Sequence, residues 1–146
     1  MAAWHELGDD VVKIMWLLKR KPGLTAEQFR EHYERSHVPM AQKHIGHLLL
    51  EYRRNYKVET AGGPYFENGG FAAFDWDYDV ITEFVLKSNA DVSEMFRVFS
   101  DPLVGQEFYE DELNFMDRDR TIMYRCEVVD TSPSDGTAQV ACALAR

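Results

Sequence analysis

The sequence has little of several things, and each scarcity removes a class of protein. It has two cysteines, Cys126 and Cys142, too few for a disulfide framework or a four-cysteine zinc site. No run of about 18 apolar residues occurs, which excludes a membrane-spanning helix. No basic segment leads into an apolar stretch, so no secretory signal is expected. Positive charge is also short: 16 Lys/Arg stand against 25 Asp/Glu, a net charge of -9. The deficit is uneven, with 10 basic and 8 acidic residues in 1–60 but 6 and 17 after that. A surface this acidic repels phosphate backbones, which excludes nucleic acid as the main partner. The one basic run, Lys19-Arg20-Lys21, is short, ends in Pro-Gly and reads as the solvated end of an element. There is no phosphate-cradling glycine loop and no assignable Ser/His/Asp set. The expectation is a soluble, cytoplasmic protein.

What the chain does have is apolar residues: 45% of 146, enough for one packed domain and no second core. Val11 to Leu18 is a β-branched and apolar run that predicts a strand buried on much of both faces. Thr25-Ala-Glu-Gln28 has the form of a capping box, predicting a helix from Ala26 to about Ser36. Phe29 and Tyr33, four apart, share one face of it. Pro39 then disfavours helix at Val38 and redirects the chain, leaving a short helical turn over 40–47. Leu48 to Lys57 reads as a strand, and the glycines near 62 and 69 bracket a long loop, a frequent home of function. Asp79 to Leu86 is the third strand. Helices are predicted over about Ala90–Phe99 and Val104–Asn114, separated by Asp101-Pro102, and Thr121 to Val129 is the last strand. Residues 1–10 read as a leader of uncertain order, 11–130 as the domain, and 131–146 as a loose tail.

The element order β-α-β-β-α-α-β is a split βαβ, ferredoxin-like α+β plan with one added helix. Helices cover one face of such a sheet. The other face predicts a dimer, an apolar ligand pocket, or both.

Four of the five histidines, His32, His37, His44 and His47, fall within 16 positions. Histidine changes charge near neutral pH and is the commonest general acid or base. His37 is the leading candidate, because Pro39 makes the exit from the helix rigid. It could equally cap the last helical carbonyls, where a cationic ring is favoured by about 0.3–1 kcal/mol. His32 lies about 500° around a regular helix from His37, so it reads as a surface residue. His44 and His47, at i and i+3, could share a metal, but no third ligand presents itself and no metal is expected. Of the alternating Asp75, Asp77 and Asp79, the last begins a strand and could orient a histidine or bind a hydroxyl. Glu110-Asp111-Glu112 reads as an exposed helix face. Cys126 reads as buried and a poor nucleophile.

Nineteen aromatic rings exceed what a small core requires. The surplus could line a pocket for a flat hydrophobic ligand. Trp16, Trp76 and Phe84 lie on or beside strands, where they could face the open side of the sheet. Tyr33, Tyr78 and His47 are further candidates to bind and orient the substrate.

The segment Leu18-Lys-Arg-Lys-Pro-Gly through Ser36-His-Val-Pro-Met40 resembles the opening of EthD-domain proteins: strand, Lys-x-Lys-Pro-Gly, a helix with Phe and Tyr, then His-x-Pro. Tyr78-Asp79 ahead of a strand and Asp117 before the last strand are also similar. The resemblance covers about residues 11–130. It implies a dimeric α+β barrel of ferredoxin-like protomers, and likeness to cofactor-free polyketide-tailoring dehydratases and decarboxylases. The family histidine then falls on His37. The function expected is a cofactor-independent lyase acting on a small, aromatic or polyketide-like substrate, with His37 as acid/base and Asp79 beside it. The alternatives are a cofactor-free oxygenase or cyclase of the same barrel type, and a non-catalytic protein that binds an aromatic ligand.

Overall fold

The β-branched run near the start forms strand β1 (Val12–Leu18), the strand around which the sheet assembles. A computed structural model describes residues 11–58, 61–62, 72–73, 77–129 and 131. The expected leader, Trp76, Cys142, residues 132–146 of the tail and most of the aromatic loop lie outside the described residues.

Strands β2 (Leu49–Tyr56), β5 (Val80–Leu86) and β6 (Ile122–Cys126) complete a four-stranded sheet in the order β2-β5-β1-β6, antiparallel throughout. That order is the ferredoxin-like one, and the fold class is α+β. Two short strands, β3 (Ala61–Gly62) and β4 (Ala72–Ala73), pair with each other inside the span expected to be loop.

The pleat and register decide what each face carries. Val12, Ile14, Trp16 and Leu18 point with Val80, Thr82, Phe84 and Leu86 toward the helices. Met15, Leu17, Ile81, Glu83, Ile122 and Tyr124 share the opposite, helix-free face. Trp16 and Phe84 therefore do not lie on the open side of the sheet, as the sequence had suggested. Their even positions in the pleat put them under the helices, with ring centroids 5.6 Å apart.

Helix α1 (Ala26–His32) starts at the expected capping box: Thr25 Oγ1 accepts from the Gln28 N–H, and Gln28 Oε1 from the Thr25 N–H. The chain does not break at Pro39. A π-helical turn, Tyr33–His37, closes with the Val38 N–H donating to the Tyr33 carbonyl, and helix α2 (Val38–Ile45) follows directly. Pro39 sits in the first turn of α2, where its missing N–H and fixed φ are tolerated. A single 3₁₀ turn, Gly46–Leu48, leads to β2.

Helices α3 (Asn89–Ser100) and α4 (Pro102–Glu112) are capped by Ser88 and Asp101. The Asp101 carboxylate accepts from the Leu103 and Val104 N–H groups, so α4 begins earlier than its apolar pattern indicated. Between α4 and β6 the backbone is pinned to the end of β1: the Lys21 N–H donates to the Phe115 carbonyl, and the Asp117 N–H to that of Lys19.

Two core clusters result. One joins Val12, Ile14, Ile45, Leu86, Met95 and Phe108; the other joins Leu18, Phe29, Tyr33, Val80, Phe115 and Met116. Trp16 and Tyr52 pack against both, at the seam where the candidate site lies. No helix is long and apolar enough to cross a membrane among the described residues.

Candidate active site

The π turn sets the geometry of the site. In a regular helix, residues five apart point in different directions. A turn closed by an i→i+5 hydrogen bond brings them back toward one side. His32 and His37 consequently reach the same carboxylate, Asp111 on α4. His32 Nε2–H donates to Oδ1 at 3.0 Å and His37 Nδ1–H to Oδ2 at 2.9 Å. The Ser36 hydroxyl adds a third bond at 2.5 Å. Two expectations are corrected here: His32 is not a free surface residue, and Asp111 is not on an exposed face. The Asp111 side chain is 11% exposed.

Burial acts to raise the Asp111 carboxyl, but hydrogen bonds from His37, Ser36 and His32 outweigh it and hold it below the usual carboxylate range. An ionised carboxylate only accepts, so the facing His37 nitrogen carries the hydrogen. In the neutral ring that leaves the lone pair on Nε2. His37 is 9% exposed and wedged edge-on to Tyr33, with Phe108 and Phe115 on other sides (centroids 5.4, 5.7 and 5.1 Å). A ring packed this way has one orientation.

His37 lines a cavity of about 350 Å³ between the sheet and the helices. The strands contribute Trp16, Leu18, Tyr52, Thr82 and Phe84; the helices contribute Tyr33, Ala41, Ile45, Phe99 and Phe108. Gly105, Tyr109, Glu112, Met116, Arg118 and Thr121 complete the lining. The interior is mostly aromatic and apolar, with a few hydroxyls, which is how small-molecule sites are built.

One wall carries those hydroxyls. Tyr33 and Thr82 share a buried hydrogen bond of 2.6 Å, and Tyr52 interacts with the Tyr33 hydroxyl. Burial pushes Tyr33 up to about 12 and Tyr52 further upward, so both stay protonated donors near neutral pH. Behind them Arg54 makes a two-pronged bond to Glu34, 2.9 Å on each prong, and stacks over the Tyr52 ring. Tyr56 also donates to Glu34. This outer cluster fixes the tyrosines from behind.

Of the residues singled out from sequence, Trp16, Tyr33, His37 and Phe84 are brought together in this cavity. Asp79 is not among its lining residues. The Asp79 carboxylate accepts the Arg20 N–H at 2.8 Å and sits 3.7 Å from the Arg20 guanidinium, anchoring the end of β1. The carboxylate that orients His37 is Asp111 instead. His47 is exposed on the 3₁₀ turn and Tyr78 is half-buried; neither lines the cavity. His44 of α2 donates to Glu107 of α4 at 2.7 Å, a further tie to that helix.

Sequence reasoning missed Asp111, Tyr52 and Thr82. For Asp111 a signal existed: Phe108 and Phe115 are seven apart at helical spacing, the first on α4 and the second just past its end, and Asp111 stands between them at i+3. A carboxylate inside an apolar stripe asks for a buried partner.

A family model described as the EthD domain matches residues 21–119, more than half of the chain. The chain belongs to the EthD family. Its fold is similar to that of an EthD-like protein from Ralstonia eutropha, at 18% identity and TM-score 0.56, covering 87% of this chain and 99% of that one. An ethyl tert-butyl ether D family protein from Bacillus halodurans is similar at 19% identity and TM-score 0.52, covering 82% and 99%. A hydroxynitrile lyase from Passiflora edulis is similar at 16% identity and TM-score 0.50, covering 86% and 99%. At these identities the likeness establishes the fold. No curated protein sequence matches this one.

Proposed function

We propose that this EthD-family protein is a cofactor-independent lyase, a dehydratase or decarboxylase, acting on an aromatic or polyketide-like substrate. The observation that carries the reading is His37: its Nδ1 is held by an ionised Asp111, and its ring borders an aromatic-lined cavity with hydroxyl donors. That a protein of this fold is named a hydroxynitrile lyase is compatible with lyase chemistry on the scaffold.

In the dehydration of a β-hydroxy ketone, His37 Nε2 takes the proton from the carbon beside the carbonyl. Electron density moves onto the carbonyl oxygen, where Tyr33 or Tyr52 would donate a hydrogen bond. The electron pair then returns to form the C=C bond, the C–O bond breaks, and His37 passes its proton to the departing hydroxyl, which leaves as water. Asp111 stabilises the imidazolium between the two steps. In decarboxylation the C–C bond breaks first, carbon dioxide leaves, and protonated His37 supplies the proton to carbon.

The working unit in this reading is a homodimer. On the helix-free sheet face Ile122 and Tyr124 are 44% and 47% exposed, beside half-buried Met15, Leu17 and Ile81. A Lys13–Glu83 ion pair supplies both signs of charge on the same face, as a self-complementary contact needs. Sedimentation should give twice the chain mass, and a monomer at micromolar concentration contradicts it.

The reaction class is tested by incubating the protein with a panel of aromatic β-hydroxy ketones and ortho-hydroxy acids and weighing the products. Loss of water or of carbon dioxide supports the lyase. A ligand that binds and keeps its mass after long incubation marks a binding protein instead.

A further inference from the structure

We infer that Arg118 makes the cavity a site for aromatic carboxylic acids, with the ring inside and the carboxylate held at the rim by the guanidinium. The inference rests on the aromatic-ligand reading above and specifies the class of ligand.

Arg118 lies on the 3₁₀ turn Arg118–Arg120, which backbone bonds pin to the end of β1, and it lines the cavity. Its Nε–H donates to Glu112 at 2.7 Å, and its guanidinium carbon sits 4.6 Å above the Tyr109 ring. Both partners also line the cavity. These two contacts fix the plane of the guanidinium without using its terminal amino groups, which make no hydrogen bond among the described residues. A rigid, planar pair of donors matches the two oxygens of a carboxylate.

The surrounding charges make this residue distinctive. Arg118 is the one permanently cationic side chain lining the cavity among the described residues. The other nearby bases pair with carboxylates outside the cavity lining: Lys19 and Arg120 with Asp77, Arg54 with Glu34, and Arg53 with Glu51 on the helix-free face. The ion-pair partner of Arg118, Glu112, is by contrast itself in the lining. In a half-chain with 17 acidic and 6 basic residues, an anion would otherwise be repelled. Phe99, Phe108 and Met116 line the same cavity and offer surfaces for a flat ring.

The placement also bears on the reaction. An ion pair to a substrate carboxylate stabilises the ground state and vanishes as carbon dioxide forms, which opposes decarboxylation of that group. A carboxylate on Arg118 is therefore a handle, which favours dehydration of an acid that keeps its carboxylate.

The test is calorimetric binding of 2-naphthoate and its neutral isostere 2-naphthamide to the wild type, Arg118→Gln and Arg118→Lys. Naphthoate should bind the wild type at least about tenfold more tightly than naphthamide. Arg118→Gln should erase that preference, and Arg118→Lys should keep part of it. Should Arg118→Gln fail to fold, the wild-type preference must still shrink with added salt and weaken in Arg118→Lys. Equal binding of both probes to the wild type, or an undiminished preference in Arg118→Gln, overturns the assignment and leaves the aromatic cavity standing. Binding of neither probe overturns both.

Discussion

His37 Nδ1 lies 2.9 Å from Asp111 Oδ2, across the contact between the π turn and helix α4. The bond fixes both the tautomer and the direction of a ring that borders the cavity. Replacing Asp111 by Asn should therefore lower turnover by about 10²–10⁴, with little change in ligand affinity, because the wrong nitrogen then carries the hydrogen. Nitrogen-15 NMR checks the cause directly: the wild-type neutral ring should be the Nδ1–H form. An unchanged tautomer in Asp111→Asn would remove this explanation.

Asp111 also ties acid stability to the site. Its folded-state carboxyl is held below its ordinary value, so its stabilisation is present above the unfolded value of about 3.9 and is lost as pH falls through the folded one. Melting temperatures of wild type and Asp111→Asn should differ most near neutral pH and converge in acid. A gap that stays constant with pH contradicts the assignment.

At the other end of the pH scale the buried tyrosines act. Tyr33 is raised from 10 to about 12, so the neutral hydroxyl stabilises the fold fully below pH 10, and that contribution is lost as pH rises through 12. Tyr33→Phe should cost about 1 kcal/mol near neutral pH, from the lost bond to Thr82, and flatten the alkaline decline. Chemical denaturation across that range measures both.

Gly105 sits where α4 passes close to the end of α3. A Cβ there would lie 2.9 Å from the Phe99 carbonyl oxygen, a backbone atom that yields only if the helices move apart. Gly105→Ala should lower stability by about 1–3 kcal/mol and weaken ligand binding, since Phe99 and Gly105 both line the cavity. An unchanged melting temperature would show that the helix pair adjusts freely.

Much of the fold was legible because local rules and packing agree. The Thr25–Gln28 capping box and the apolar run of β1 act through neighbours in sequence, and the ferredoxin-like order follows from the succession of such elements. Of the candidate site, His37 and the aromatic lining residues Trp16, Tyr33 and Phe84 were legible, but the carboxylate that holds His37 was not. A count of 100° per residue places His32 away from His37, and that count fails because the turn between them is π-helical. Pro39, whose usual meaning is a break, is tolerated because it falls in the first turn of α2, directly after the π turn. The spacing of Phe108 and Phe115 marks Asp111 as facing the core but does not say that His37 is its partner. The choice depends on α4 crossing the π turn while Asp79 is taken up by Arg20, and that is decided by tertiary packing.

The central claim, that His37 moves the proton in a lyase reaction, is tested most directly by turnover of His37→Gln. The variant must first be shown folded by circular dichroism and by retained binding of naphthamide. The account predicts turnover at least about 10²-fold below wild type. A folded, ligand-binding variant that turns over at the wild-type rate would contradict it.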